Sequence, residues 1–141
     1  MEMISNEEKI TQAVLVSVDT GDYDAEASLA ELKELVKSAG AEPVFTVTQN
    51  LKRPETGTYV GTGKLQEIAD ICKQQEIDLL VFDCELSPTQ IRNIEAETDT
   101  RTIDRTMLIL DIFALRARSK EGKLQVELAQ LKYLMPRLTG K

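Results

Sequence analysis

The stretch AVLVSVDTGDYDAEASLAELKELVKSAGAEPVFTVT, residues 13–48, contains the pattern that decides the fold. It opens with the apolar, β-branched run of residues 13–18, which is typical of a strand covered on both faces. Apolar positions at steps of three and four then predict a helix that begins at Asp24 and ends at Gly40. Residues 43–48 predict a second strand. A strand, a helix and a further strand in this order are typical of a parallel α/β sheet.

The same alternation continues further along the chain with shorter elements. Residues 64–74 are predicted to be helical, residues 78–82 to form a third buried strand and residues 100–103 a weak fourth strand. Before the fourth strand, a third helix is predicted to run to about residue 95, and its start combines an N-cap residue, a proline and a capping-box partner at Ser87, Pro88 and Gln90. We therefore predict an α/β fold with a small open, mostly parallel β-sheet flanked by helices.

The last part of the chain has a helical character. A long helical stretch is predicted from Asp104 to Pro136, with a break near Gly122 as the alternative to one continuous helix. This stretch carries a stripe of apolar residues that repeat at steps of four and three, the spacing of a coiled-coil seam, at Leu124, Leu128, Leu131, Met135 and Leu138. Such a stripe needs a second helix to cover it, so we interpret the stretch as the first half of an antiparallel helical hairpin that continues beyond residue 141. Left uncovered, the stripe would allow self-association between copies.

The net charge of -7 is divided unevenly along the chain. Residues 1–99 hold 20 acidic and 8 basic side chains, whereas residues 100–141 hold 4 acidic and 9 basic ones. Because basic surface attracts phosphate, nucleic acid is expected to contact the second of these parts. From charge alone, its cations could equally be the solvated surface of a long helix. Those on the helical stretch are Arg116, Arg118, Lys120, Lys123, Lys132, Arg137 and Lys141.

These patterns divide the chain into three parts. We expect a flexible N-terminal tail at residues 1–11, an α/β subdomain at residues 12–103 and a long-helix subdomain, which is a truncated helical hairpin, at residues 104–141. The tail has no secretory signal, and no apolar run approaches the length of a membrane helix. We therefore expect a cytoplasmic protein without a membrane span.

The composition also excludes several kinds of chemistry. The chain contains no histidine, which removes imidazole acid–base catalysis, Ser-His and Cys-His nucleophile pairs and most zinc sites. Its two cysteines, Cys72 and Cys84, are predicted to be core or near-core residues, and they fit neither a disulfide framework nor a metal site. We assign no catalytic residue and no metal ligand.

Gly61, Gly63 and Lys64 follow a long connection at residues 49–63 and open the second predicted helix. Glycines at a helix N-terminus let backbone N–H groups approach an anion, so this segment is a candidate phosphate or nucleotide site. A complete P-loop would need glycine in place of Thr58 and a hydroxyl residue in place of Leu65. The alternative is a tight turn with an exposed helix cap.

Four aspartates, Asp19, Asp22, Asp24 and Asp83, lie near the carboxyl ends of the first and third predicted strands. Open α/β sheets bind ligands at that edge. A phospho-receiver domain clusters aspartates there, but it also needs a fifth strand followed by a lysine, which the pattern does not supply. We therefore assign these aspartates to turns and helix caps.

Several segments carry a family resemblance. They include YVGTGK at residues 59–64, ELSPTQIRNI at residues 85–94 and IDRTMLILDIFALRAR at residues 103–118. LQVELAQLKYL at residues 124–134 and PRL at residues 136–138 follow in order. Together they resemble the HflX family, and the resemblance covers nearly all of residues 14–138.

The resemblance implies an amino-terminal part of a translational-type GTPase that binds the large ribosomal subunit and dissociates stalled ribosomes. In that family an α/β subdomain and a two-helix hairpin precede the GTPase domain, and the hairpin reaches ribosomal RNA. The resemblance thus implies that the seven cations named above contact rRNA. It also implies that GTP and Mg²⁺ belong to a GTPase domain outside this fragment, which packs against it, so that the fragment is not itself an enzyme. Adenine-nucleotide binding credited to some members would give Gly61, Gly63 and Lys64 a role.

Overall fold

The computed structural model describes residues 10–116 and 120–139, and the side chains of residues 115, 116 and 137–139 lie outside that description. Strands and helices alternate as far as residue 104, and the rest is helical. The strands are β1 (Gln12–Asp19), β2 (Glu42–Asn50), β3 (Leu79–Phe82) and β4 (Arg101–Asp104). The helices are α1 (Ala25–Ser38), α2 (Thr62–Gln74), α3 (Pro88–Thr98), α4 (Arg105–Arg116) and α5 (Lys120–Thr139).

The four strands form one sheet in the order β2-β1-β3-β4, and every neighbouring pair is parallel. The predicted α/β fold with a parallel sheet is therefore confirmed. Strands β1 and β3 lie in the middle, and their apolar residues from Ala13 to Val16 and from Leu79 to Phe82 are almost completely buried. Burial on both faces explains why their sequences are unbroken apolar runs.

The helices cover the sheet on both sides. Helix α1 connects β1 to β2 in one direction and α2 connects β2 to β3 in the other, so right-handed crossovers place α1 and α2 on opposite faces. Helix α4 packs against α1, and α3 packs against α2. Leu32 of α1, Ile68 of α2, Ile94 of α3 and Leu108 of α4 are fully buried between the helices and the sheet.

The two edge strands are protected in different ways. At β4, the backbone N–H of Thr102 donates to Glu95 Oε2 at 2.9 Å, and α5 lies at this edge because it contacts both α3 and α4. At β2, most residues are exposed, and Phe45 is among the exposed apolar ones. The pairing of β2 with β1 shifts register between Ala13 and Val14, beside Pro43, which has no N–H to offer another strand.

The long connection between β2 and α2 has a fixed path over the carboxyl edge of the sheet. Its backbone oxygens accept hydrogen bonds from α3: Asn93 Nδ2 donates to Gly57 O at 2.9 Å and Gln90 Nε2 donates to Glu55 O at 3.2 Å. Within it, Tyr59 has a positive φ of 65° and packs its ring edge-on against Phe82, with centroids 6.3 Å apart. The connection therefore covers the end of β3.

After β4 the structure has two helices rather than one long helix. Helix α4 ends at Arg116, and α5 begins at Lys120 and runs back along α4, since Asp111 meets Gln130 while Asp104 meets Tyr133. Gly122 lies in the first turn of α5 and not at a break. The reason is physical: the partly buried side of α5 packs against α4, which a continuous helix could not do. Within the described residues, no helix combines the length and apolar character needed to cross a membrane.

The predicted cap of α3 is confirmed and gives a test of local stability. Ser87 Oγ accepts from Gln90 N at 3.1 Å, and Gln90 Oε1 accepts from Ser87 N at 2.9 Å. Ser87→Ala is expected to lower the free energy of unfolding by about 1 kcal/mol, because an N-terminal N–H of α3 loses its acceptor. Urea denaturation measures this. The matched control Ser38→Ala, at an exposed position of α1, should change it by no more than about 0.5 kcal/mol.

Candidate functional site

Helix α5 presents two different faces. One face, formed by Val126, Gln130, Tyr133 and Leu134, is partly buried against the rest of the protein. The other carries the predicted apolar stripe, and it is open: the exposed fractions are 58% for Leu124, 54% for Leu128, 55% for Leu131 and 51% for Met135. Leu138, the fifth member of the stripe, has no described side chain. The stripe is therefore a surface of the structure and not part of its core.

The predicted RNA-binding cations are only partly described. Lys120, Lys123 and Lys132 are exposed on α5. Lys120 and Lys123 are three residues apart and neighbour each other, whereas Lys123 and Lys132 are nine residues apart, about two and a half turns, and project from opposite sides. The described cations thus do not lie on one face of α5. Arg116 and Arg137 lie in α4 and α5 without described side chains, and Arg118 and Lys141 lie outside the described residues.

Beneath α5, the carboxylate of Asp104 joins four parts of the protein. Asp104 ends β4 and is fully buried. Its Oδ1 accepts from Met107 N at 3.0 Å, which caps α4, and its Oδ2 accepts from Leu86 N at 2.9 Å in the connection between β3 and α3. The hydroxyl of Tyr133 on α5 also donates to Oδ2. This buried charge is stabilised because three donors surround it.

Arg105, the next residue, connects the start of α4 to the end of β3 and to α1. Its Nη1 donates to Asp83 Oδ1 at 2.6 Å and its Nη2 pairs with Glu31 on α1. Asp83 follows β3, and its side chain is completely buried. Burial raises the pKa of Asp83, although a hydrogen bond with Ser28 opposes the shift. Asp104 and Arg105 together hold α4 between α1 and α5.

Asp111 is the second buried acid between α4 and α5. Its Oδ1 accepts from Gln130 Nε2 at 3.0 Å, and among the described residues its Oδ2 has no hydrogen-bond partner. Burial raises the pKa of Asp111, against the opposing effects of Arg101 and of the Gln130 amide. Only Asp83 Oδ2 shares this buried, unpartnered state in the described part of the chain. The contact between α4 and α5 therefore includes one buried acid, Asp111, of which only one carboxyl oxygen accepts a hydrogen bond from the described residues.

The segment at Gly61, Gly63 and Lys64 lies at the N-terminus of α2. Gly61 is the N-cap, its N–H donates to Gln49 Oε1 at 2.9 Å, and no side chain caps the helix. A Cβ at Gly63 would meet open space, so the backbone there is accessible. Lys64 Nζ lies 2.9 Å from Glu67 Oε2, on the same helix. The segment is the exposed start of a helix, and one of its backbone N–H groups, that of Gly61, already donates a hydrogen bond to Gln49.

The aspartates at the carboxyl edge have the roles expected of turns and caps, with one exception. Asp19 Oδ1 accepts from Gly21 N at 2.9 Å, and Asp24 Oδ1 accepts from Ala27 N at 3.0 Å as the N-cap of α1. Asp22 lies exposed in the same turn. Asp83 instead forms the ion pair with Arg105, which the sequence analysis did not anticipate.

The Cys84 thiol and the Tyr59 hydroxyl, which could act as nucleophiles if they were ionised, are held in their protonated form. Burial raises the pKa of the Cys84 thiol and of the Tyr59 hydroxyl, so both remain protonated at neutral pH. Cys72 is buried and Cys84 is partly buried, as predicted, and both are free thiols. No three histidine, cysteine or carboxylate side chains in the described regions are grouped so that they could hold a metal ion.

The residues that join α4 and α5 could not be recognised from the predicted elements alone. Asp104, Asp111, Gln130 and Tyr133 lie within the segments of the resemblance, but no contact between them was predicted. A signal was available, since Asp111 interrupts the otherwise apolar run of residues 107–113 on α4.

Known proteins match both parts of the chain. Residues 26–114 match the family described as GTP-binding GTPase N-terminal, and residues 116–141 match the family described as GTP-binding GTPase Middle Region. A GTPase HflX from Alkalihalophilus pseudofirmus is 52% identical over 133 residues, which are 93% of this chain and 31% of that protein. A GTPase HflX from Escherichia coli is 52% identical over 128 residues, 90% of this chain and 30% of that protein.

A solved structure shows the same fold. A GTP-binding protein from the hyperthermophilic archaeon Sulfolobus solfataricus, in complex with GDP, superimposes with a TM-score of 0.68 at 32% sequence identity. The alignment covers 92% of this chain and 39% of that one. The chain therefore spans about a third of the length of the relatives it matches.

The raised pKa of Asp111 predicts how the free energy of unfolding depends on pH. In the unfolded chain Asp111 ionises near pH 4, whereas in the folded chain its raised pKa delays ionisation. The folded state is therefore destabilised as the pH rises from about 4 through the raised pKa. Asp111→Asn does not titrate, so its free energy of unfolding should rise relative to wild type over this range. Urea denaturation at several pH values measures the difference, and a difference independent of pH would contradict the prediction.

Proposed function

This chain belongs to the HflX family of GTPases, whose amino-terminal and middle regions it matches, and from that premise we propose that it is a ribosome-binding module. In this proposal it binds the large ribosomal subunit through rRNA and contributes to the dissociation of stalled ribosomes. The observation that carries the proposal is the separation of charge, with 9 basic and 4 acidic residues in residues 100–141 against 8 and 20 before them. Exposed Lys120, Lys123 and Lys132 on α5 support it.

The proposal assigns the remaining roles to a longer protein. GTP and Mg²⁺ would bind a GTPase domain outside this chain, which packs against the α/β part, and the chain alone would hydrolyse no GTP. The uncovered stripe of α5 would pack against a returning helix of the longer protein, and in its absence against a second copy. The whole protein would act in the cytoplasm, where ribosomes are.

The exposed cations lie on more than one side of α5. Lys123 and Lys132 project from opposite sides, so one flat phosphate surface would meet only one of them. Because another side of α5 packs against α3 and α4, RNA would contact α5 only on the sides that remain exposed. Such contacts are electrostatic and are expected to be strongly salt dependent.

Co-sedimentation with purified large ribosomal subunits across a salt series tests the proposal. The variant carries Lys120→Ala, Lys123→Ala and Lys132→Ala, and it should bind more weakly, with a salt slope reduced by roughly one for each lysine that contacts phosphate. The control carries Lys33→Ala, Lys37→Ala and Lys73→Ala, which removes the same charge from exposed positions on α1 and α2. Equal loss in both variants would mean that net charge, and not α5, governs binding.

A second candidate function is nucleotide binding at Gly61, Gly63 and Lys64. It is favoured by the lack of a side-chain cap on α2 and by the open space at Gly63. The occupied Gly61 N–H and the pairing of Lys64 with Glu67 count against it.

Two substitutions separate this function from a structural role. If the site binds ATP or GTP, Lys64→Ala should weaken binding, since the cation near the phosphates is lost, and Gly63→Ala should weaken it by blocking the backbone. Neither change should lower the thermal midpoint by more than a few degrees, because a Cβ at Gly63 meets nothing. Isothermal titration calorimetry measures binding, with Lys73→Ala in the last turn of α2 as the control. Unaltered affinity in both variants excludes the site.

A further inference from the structure

The contact between α4 and α5 contains two acid–donor pairs within an apolar surface. Asp104 is the last residue of β4 and caps α4 through Met107 N, whereas Asp111 lies on α4 seven residues later. On α5, Gln130 and Tyr133 are three residues apart and share one side. Because the helices run in opposite directions, Tyr133 meets Asp104 while Gln130 meets Asp111.

The apolar side chains between these pairs do not by themselves define how α5 is placed along α4. Met107 and Leu110 of α4 and Leu134 of α5 line one small cavity of about 10 Å³, together with Asp111, Gln130 and Tyr133. Apolar contact is non-directional, and leucine or methionine packs against several arrangements of similar residues. Hydrogen bonds to buried acids are directional and costly to lose.

We propose that Asp104 and Asp111 are positioning residues, which fix the register of α5 on α4 because each accepts a hydrogen bond from it. The inference concerns this chain alone and does not depend on ribosome binding.

Shifts of α5 by one helical turn show why the two pairs select one register. A shift of four residues brings Val126 or Leu134 opposite Asp111, and neither can donate. A shift of three residues in one direction brings Glu127 opposite Asp111, which places two acids together. In the other direction, Pro136 replaces Tyr133 opposite Asp104. Three of these four shifts therefore leave Asp111 without a donor, and the fourth removes the hydrogen bond that Asp104 accepts from α5.

The two acids contribute differently to this selection. Asp104 accepts three hydrogen bonds and two of them come from outside α5, so it remains largely satisfied and mainly anchors the end of the contact. Asp111 accepts only from Gln130 and retains an unpartnered oxygen. Asp111 is thus the acid that loses its only described donor when α5 moves, and it carries most of the selection.

The register of α5 on α4 matters because α5 carries the exposed lysines and the exposed apolar stripe. A shift by one turn moves each of its residues by about 5.4 Å relative to the sheet. Lys120, Lys123, Lys132 and the exposed apolar stripe would all move together. Fixing α5 on α4 therefore fixes where these surfaces lie relative to the α/β part.

The first test replaces the polar pair by an apolar one. NMR of isotope-labelled chain is expected to show one set of signals for wild type, with contacts from the Leu134 methyls to Met107 and Leu110. The double variant Asp111→Leu with Gln130→Leu should keep or raise the thermal midpoint, but should show doubled or broadened signals at the α4–α5 contact. One sharp set of signals with unchanged Leu134 contacts would overturn the proposal.

The second test exchanges donor and acceptor and stays informative if the apolar variant does not fold. Gln130→Glu places a second acid against Asp111 and should lower the thermal midpoint at neutral pH by several degrees. Adding Asp111→Asn restores one donor and one acceptor in reversed order and should recover both the midpoint and the Leu134 contacts. Gln125→Glu, at an exposed position of α5, is the control and should change neither. A double variant no better than Gln130→Glu alone would refute pairing between these positions.

Discussion

The structure depends on the burial of one carboxylate, that of Asp104, at the point where the sheet ends and the helices begin. A buried charge is tolerated only when donors surround it, and here the donors come from the start of α4, from the connection after β3 and from α5. Satisfying one side chain therefore brings three separate segments together. Arg105 follows directly and extends the same connection to Asp83 and α1. These two adjacent residues thus orient α4, and Asp104 anchors one end of its contact with α5.

Much of the α/β part could be predicted from local patterns, because its signals are local. The unbroken apolar run of β1, the spacing of Leu32 and Val36 in α1 and the capping residues at Ser87 and Gln90 each report on their own neighbourhood. The separation of α4 from α5 could not be read in this way. Both segments have helical periodicity, and the reversal between them is fixed by contacts of Asp104 and Asp111 with residues 29 and 19 positions away.

The candidate site shows the same division between local and distant information. Composition located the cations and periodicity located the apolar stripe, and both are exposed on α5 where the structure describes them. What could not be predicted is that the buried side of α5 is partly polar. That side was hidden in the sequence because Gln130 and Tyr133 look like ordinary surface residues of a helix. Only the partner acids Asp111 and Asp104 reveal their role.

The position of α5 at the β4 edge has a consequence for the order in which the protein is made. Ribosomes synthesise the chain from its N-terminus, so all four strands exist before α5 does. The end of β4 and the end of α5 are separated by 35 residues, from Asp104 to Thr139. At about 5–20 residues per second, translation of this interval takes a few seconds, during which α5 cannot yet cover the β4 edge. The nascent chain thus passes through a brief interval in which chaperone binding, or pairing of this edge with another chain, competes with the arrival of α5.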